Sequence, residues 1–155
     1  METTGVVRRG TAERVRDTLE RLVSERDVWV STSHPGHGPH QLPLWFSWDG
    51  RAVWMCTSAT SATVRNLRAE PRVQLSLPDT YDVVLLQGEA ECFPDQEVPE
   101  EAAEAFADKF GWDPRAEEGL FVYVRVVPST VRAWRGVPEL RGRVIVRDGE
   151  WLAAP

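Results

Sequence analysis

The sequence predicts a mainly β fold, a small antiparallel barrel of six or seven strands with three helices packed outside it. Three observations lead there. Two Asp-Gly dipeptides, Asp49-Gly50 and Asp148-Gly149, separate strand-like runs and suit the two-residue type I′ turns of β-hairpins. The strand runs are apolar on both faces: in His40–Trp48, Leu42, Leu44, Phe46 and Trp48 share one face while Gln41, Pro43, Trp45 and Ser47 share the other. A small closed or half-closed sheet accounts for this when one face fills the barrel and the other meets a helix or a second subunit. Finally, Gly88 interrupts the long run Val83–Phe93, where it permits either the bulge that a barrel corner requires or the close backbone approach of a ligand.

Each element has its own signal. Residues 1–10 carry no periodicity and are expected to be a flexible N-terminus, leaving 11–155 as a single domain. Val15, Leu19, Leu22 and Val23 recur at helical spacing behind Thr11, so 11–26 is an amphipathic helix. Val28–Ser33 reads as a strand, and HPGHGPH as a turn. The hairpin of His40–Trp48 with Arg51–Thr57 follows. A short helix over 61–70 buries Val64 and Leu67 and stops before Pro71, after which Val73, Leu75 and Leu77 point inward from a strand. Pro99 opens a third helix with Ala103, Phe106, Ala107 and Phe110 as its apolar stripe, and Gly111 closes it. Leu120–Val127 is a strand broken by Pro128, Thr130–Arg135 continues the sheet, and Arg143–Val146 with Glu150–Leu152 forms the last hairpin.

Composition limits the function. The 155 residues carry a net charge of −6, which disfavours nucleic acid and anionic membrane as partners because both require a basic face. No apolar run is long enough to span a bilayer and the N-terminus has no signal-peptide core, so a cytoplasmic location is expected. Cys56 and Cys92 lie in apolar strands without CxxC spacing and read as buried thiols. Seven tryptophans suit core or interface positions. His34, His37 and His40 recur every third residue, but in a Gly/Pro turn without carboxylate or thiol companions they read as solvated turn residues rather than metal ligands.

The chemistry concentrates where the strand ending at Thr57 passes into the 61–70 helix. Thr57, Ser58, Thr60, Ser61 and Thr63 surround a helix N-terminus, and Arg65 and Arg68 follow. Unpaired amides, a dipole and a cation make a cradle for phosphate. The same residues also fit a plain cap with solvated arginines. Phosphate-binding glycine motifs, a nucleophile elbow and paired carboxylates for acid–base work are absent from the sequence. Such a chain either is not an enzyme or borrows its chemistry from a cofactor.

Taken together, PHQLPLWFSWDG, ATVRNLRAEPRVQLSL, DVVLLQGEAE and VRVVPSTVRAWRG resemble the pyridoxamine 5′-phosphate oxidase-like split-barrel family over about residues 11–152. The most specific piece is Arg65-Asn66-Leu67 followed by Glu70-Pro71-Arg72-Val73. The resemblance implies a Greek-key split barrel that works as a homodimer and binds FMN or the deazaflavin F420 between subunits. It carries the cofactor role onto Thr57, Ser58, Ser61, Ala62, Thr63 and Arg65 at the phosphate end. Gln41, Leu42 and Pro43 would lie along the ring, with Trp134 added by analogy with the last long strand. Many members have a lysine where this chain has Thr63, which exchanges a charge-assisted contact for a neutral one. The function implied is hydride transfer between F420 or FMN and a small organic substrate, with no catalytic side chain required. A carrier that holds flavin, F420 or haem without turnover is the alternative.

Overall fold

The computed structural model of the chain describes residues 7–155. In order the elements are α1 (Thr11–Ser24), β1 (Asp27–His34), β2 (Gly38–Trp48), β3 (Val53–Ser58), α2 (Ala62–Ala69), β4 (Arg72–Ser76), β5 (Asp82–Pro94), α3 (Glu100–Phe110), β6 (Phe121–Arg135), β7 (Val144–Arg147) and β8 (Glu150–Trp151). The antiparallel sheet runs β3-β2-β1-β4-β5-β6, and β6 pairs back onto β3 to close a six-stranded barrel. After the β1-β2-β3 meander the chain returns through α2 to place β4 beside β1, which is the Greek-key arrangement. The expected six or seven strands are eight, because β7 and β8 add a hairpin to β6 outside the closed ring.

Two apolar clusters explain why the strands are apolar on both faces. Val28, Val30, Phe46, Met55, Leu75 and Leu86 fill the barrel, joined by Val15 and Leu22 from α1 and Val64 and Leu67 from α2. Outside it, Trp54, Cys56 and Tyr123 pack under Ala103 and Phe106 of α3. Trp45 stacks on Phe110 with ring centroids 4.7 Å apart and planes 4° from parallel. Removing this much apolar surface from water is the main stabilising term of such a domain. Gly111 takes the left-handed conformation that ends α3 (φ 65°). Both cysteines are free, and burial pushes the Cys56 thiol up to about 12, so it is inert near neutral pH.

Several details depart from the sequence reading. Val23 is 65 % exposed rather than part of the α1 stripe, and α1 ends at Ser24 because Glu25 is extended. Asp49-Gly50 does not form a two-residue turn: Trp48 pairs with Val53, leaving a four-residue connection. The Asp49 carboxylate accepts hydrogen bonds from the backbone N–H of Arg51 (2.8 Å) and Ala52 (2.6 Å) and from Trp54 Nε1 (2.8 Å). Those three bonds hold an open turn that a type I′ geometry would forfeit. Asp148-Gly149 does form the tight turn, with positive φ at both residues (52° and 79°) and Arg147 paired to Glu150. Pro128 does not break its strand either. It lies where β6 passes from its β3 pairing to its β7 pairing, next to the bulge residue Ser129, a place where a missing N–H is tolerated.

Of the ten N-terminal residues expected to be loose, 1–6 lie outside the described residues. Arg9 is buried: its guanidinium donates to Glu139 (2.8 Å) and Asp17 (3.2 Å). Arg14 is buried beside it and donates to the carbonyls of Ala133, Glu139 and Arg141.

Candidate functional site

The corner between β3 and α2 is built from short-range hydrogen bonds. Ser58 Oγ lies 3.1 Å from Thr60 Oγ1, and Ala59 N–H donates to the Leu120 carbonyl, which ties the loop to the start of β6. Ser61 caps α2 by accepting from Val64 N–H at 3.2 Å. The first intrahelical bond runs from Arg65 N–H to the Ser61 carbonyl, so the amides of Ala62 and Thr63 have no acceptor among the described residues. Two free amides at the positive end of a helix dipole suit an anion.

The side chains divide between outside and inside. Arg65 is exposed and uses Nε to reach Asn66 Oδ1 at 3.2 Å, leaving its terminal nitrogens available. Its charge lies near the β1–β2 turn, where it depresses the pKa of His37 and favours the neutral imidazole. Asn66 is fully buried and donates to Thr32 Oγ1 at 3.1 Å, locking α2 onto β1. Thr63 is 1 % exposed, and its Oγ1 has no hydrogen-bond partner. Where many members of the family it resembles have a lysine, this chain therefore has a buried hydroxyl, and the contact expected of the Thr63 side chain falls to its backbone amide.

Around the barrel wall, β1, β4 and the adjoining parts of β2, β5 and β6 present an outer face away from α3, which covers the Trp45 end of β2 and the Tyr123 end of β6. Strand register lines up Pro43, Trp29, Ser76, Leu85 and Arg132 in one row and Gln41, Ser31, Gln74, Gln87 and Thr130 in the next. Gln41 Nε2 donates to Ser31 Oγ at 3.1 Å and Gln87 Nε2 to Gln74 Oε1 at 2.9 Å. Two open clefts lie on this face. One, of about 350 Å³, is lined by Trp29, Gln41, Leu85 and Trp134. The other, of about 540 Å³, is lined by Ser31, Thr32, Gln74, Gln87 and Gly88.

The structure thus brings Gln41 and Trp134 together in one cleft, with Pro43 exposed in the row of Trp29 and Leu85, two other residues that line it. Leu42 points the other way, against the barrel core, so that only its backbone is available at the surface. Thr57, Ser58, Ser61, Ala62, Thr63 and Arg65 form the separate α2 corner, and none of them lines either cleft. Thr32 joins the two regions, because it lines the larger cleft and holds Asn66 of α2. Trp29, Ser31, Gln74 and Gln87 were not singled out from the sequence. The alternation of β1, with Val28, Val30 and Thr32 on one side and Trp29, Ser31 and Ser33 on the other, carried the signal for the first two.

A family model described as pyridoxamine 5′-phosphate oxidase matches residues 11–135, most of the chain and both halves of this site. The chain belongs to the pyridoxamine 5′-phosphate oxidase family. Solved structures with the same fold include a conserved hypothetical protein from Mycobacterium tuberculosis (24 % identity, 77 % of this chain and 83 % of that one, TM-score 0.62). A protein named F420 reductase is similar at 22 % identity over 72 % of this chain and 93 % of that one, with a TM-score of 0.58. A putative pyridoxamine 5′-phosphate oxidase from Listeria innocua is similar at 17 % identity over 76 % and 95 %, with a TM-score of 0.60. Among curated proteins none matches the chain in sequence. The family barrel accounts for β1 to β6, whereas β7 and β8 lie beyond the matched residues. Among the described residues no helix is long and apolar enough to cross a membrane, and no cluster of His, Cys, Asp or Glu forms a metal site.

Proposed function

We propose that this protein is an F420- or FMN-dependent oxidoreductase that transfers a hydride between the bound ring and a small organic substrate, acting as a homodimer. The observation that carries this reading is the α2 corner, where the Ala62 and Thr63 amides and the terminal nitrogens of Arg65 offer donors without acceptors. Those donors fit a phosphate group, which needs several N–H groups and a cation. With Thr63 buried in place of a lysine, Arg65 is the charge that would hold the phosphate, and the Ala62 and Thr63 amides would orient it. Gln41 and Trp134 would bound the ring, and Trp29 and Leu85 would keep water from it.

When bound, the (deaza)flavin supplies the hydride chemistry. This chain's share is binding, orientation and exclusion of water. The clefts of the outer face are open, so they hold a ring firmly only when something covers them. A second copy docking there would supply that cover, which is the reason for including the dimer. The naming of one structural neighbour as an F420 reductase supports keeping F420 beside FMN.

Titration of the purified protein with FMN and with F420, followed by fluorescence quenching, tests the proposal. Saturable binding of one of them is expected, with Arg65→Ala weakening it about tenfold or more through loss of the phosphate contact. Binding of neither cofactor would sink the reading, and unchanged affinity in Arg65→Ala would remove that residue from the site. Binding without hydride transfer to a panel of enones and quinones would assign the carrier role instead.

A further inference from the structure

The proposed cofactor site leaves another charged feature unused. A cleft of about 570 Å³ lies between the N-terminus of α1 and the β6–β7 region, sharing no lining residue with the two clefts of the outer face. Arg132, Arg141, Arg143 and Arg147 all line it, with Thr11 at its edge and Leu140 and Leu152 as apolar walls. Among the described residues none of these four guanidinium groups pairs with a carboxylate. Arg143 donates to the Leu140 carbonyl at 2.8 Å and Arg132 to Gln87 Oε1 at 2.9 Å, while Arg141 and Arg147 are exposed.

Four unpaired cations around one concavity repel one another, and in a chain of net charge −6 carboxylates are in ample supply to neutralise them. Five arginines outside the cleft, Arg9, Arg21, Arg72, Arg115 and Arg125, each pair with a carboxylate at 3.2 Å or less, whereas the four in the cleft lie together with none. The wall is held in place from below. Buried Arg14 donates to the carbonyls of Ala133 (3.1 Å), Glu139 (3.0 Å) and Arg141 (3.3 Å), so the loop that carries Arg141 and Arg143 is fixed to α1 and β6.

We infer that this cleft is a second anion site, distinct from the α2 corner, that takes a small ligand bearing two or more negative charges as phosphate or carboxylate groups. Guanidinium forks bind either group bidentately, and several of them around one concavity select for a multiply charged ligand over a monovalent ion. The inference does not depend on the cofactor proposal, because it uses none of the same residues for binding.

The test is a titration of the full chain with pyrophosphate and, separately, with citrate, followed by the amide NMR shifts of Thr11, Gly142 and Val144. Saturable shifts at these residues are expected with at least one probe, and which of the two binds tells phosphate from carboxylate recognition. The double variant R141A/R147A should weaken that binding about tenfold or more, and its amide spectrum also reports whether the fold is kept. Arg65→Ala should leave these shifts unchanged, which separates the cleft from any binding at α2. The inference is overturned when neither probe moves these amides, when R141A/R147A binds as the parent does, or when Arg65→Ala alone abolishes the shifts.

Discussion

Glu139 is the residue on which the N-terminal part of the fold turns. It is 2 % exposed and accepts hydrogen bonds from the Arg9 guanidinium and from the backbone N–H groups of Arg9 and Arg135. Burial alone would raise its pKa, but these bonds and the Arg9 charge outweigh it and hold the carboxyl at about 2, below the ordinary 4.5. Because the folded value lies below the unfolded one, Glu139 gives its full stabilisation above about pH 4.5 and loses it as pH falls towards 2. Glu139→Gln should cost about 3 kcal/mol at neutral pH, since it leaves Arg9 and Arg14 buried with less compensating charge. It should also flatten the acid limb of the stability curve. Urea unfolding of both proteins between pH 2 and pH 7 checks this, and parallel acid limbs would show that the network is not the source. Nothing in the sequence announced this carboxylate. Its partners Arg9 and Arg14 are about 130 positions away, and only the docking of α1 against the end of β6 brings them together.

At the scale of elements, the β5–β6 pair shows how a glycine is committed. Gly88 has an ordinary backbone conformation, so its role is not a left-handed turn. A Cβ there would lie 2.7 Å from the Val127 carbonyl oxygen, a backbone atom that cannot move aside cheaply, at the point where the register shifts around Ser129. The sequence reading left open a bulge or the approach of a ligand; the bulge is there, at the register shift between Gln87 and Gly88, and the group that comes closest is the chain's own β6. Gly88→Ala should therefore destabilise by about 1–3 kcal/mol through overpacking, read as a lower midpoint in chemical denaturation. Equal stability would mean that β6 relaxes freely at the bulge. The helices and most strands were legible because hydrophobic period and Pro/Gly punctuation act locally. The Asp49-Gly50 turn was not, since a side chain bonding to Trp54 five residues on decided it.

For the whole molecule, the outer face is the feature that asks for a partner. Trp29 is 40 % exposed and sits in a row with Pro43 and Leu85 on a wall that no helix covers, whereas the β3–β6 side is covered by α3. If two copies meet there, the protein sediments at twice the chain mass, and Leu85→Arg, which places a charge in the contact, sediments as a single chain. A parent protein that sediments as a single chain at micromolar concentration would remove the dimer from the proposal. A Leu85→Arg dimer would move the contact to another face.

What the sequence determined by itself is the kind of structure and the kind of corner. Periodicity, turn chemistry and capping hydroxyls are short-range properties, and they fixed a small helix-flanked β-barrel with a donor-rich helix start at Ser61. The tertiary structure decided which donors remain free. Thr63 was turned inward, Arg65 was left outside, Gln41 of β2 and Trp134 of β6 were brought into one cleft, and four arginines were gathered without carboxylates. The physical reason is that pairing and burial depend on contacts between residues distant in sequence, which strand register and barrel closure set and no local pattern encodes.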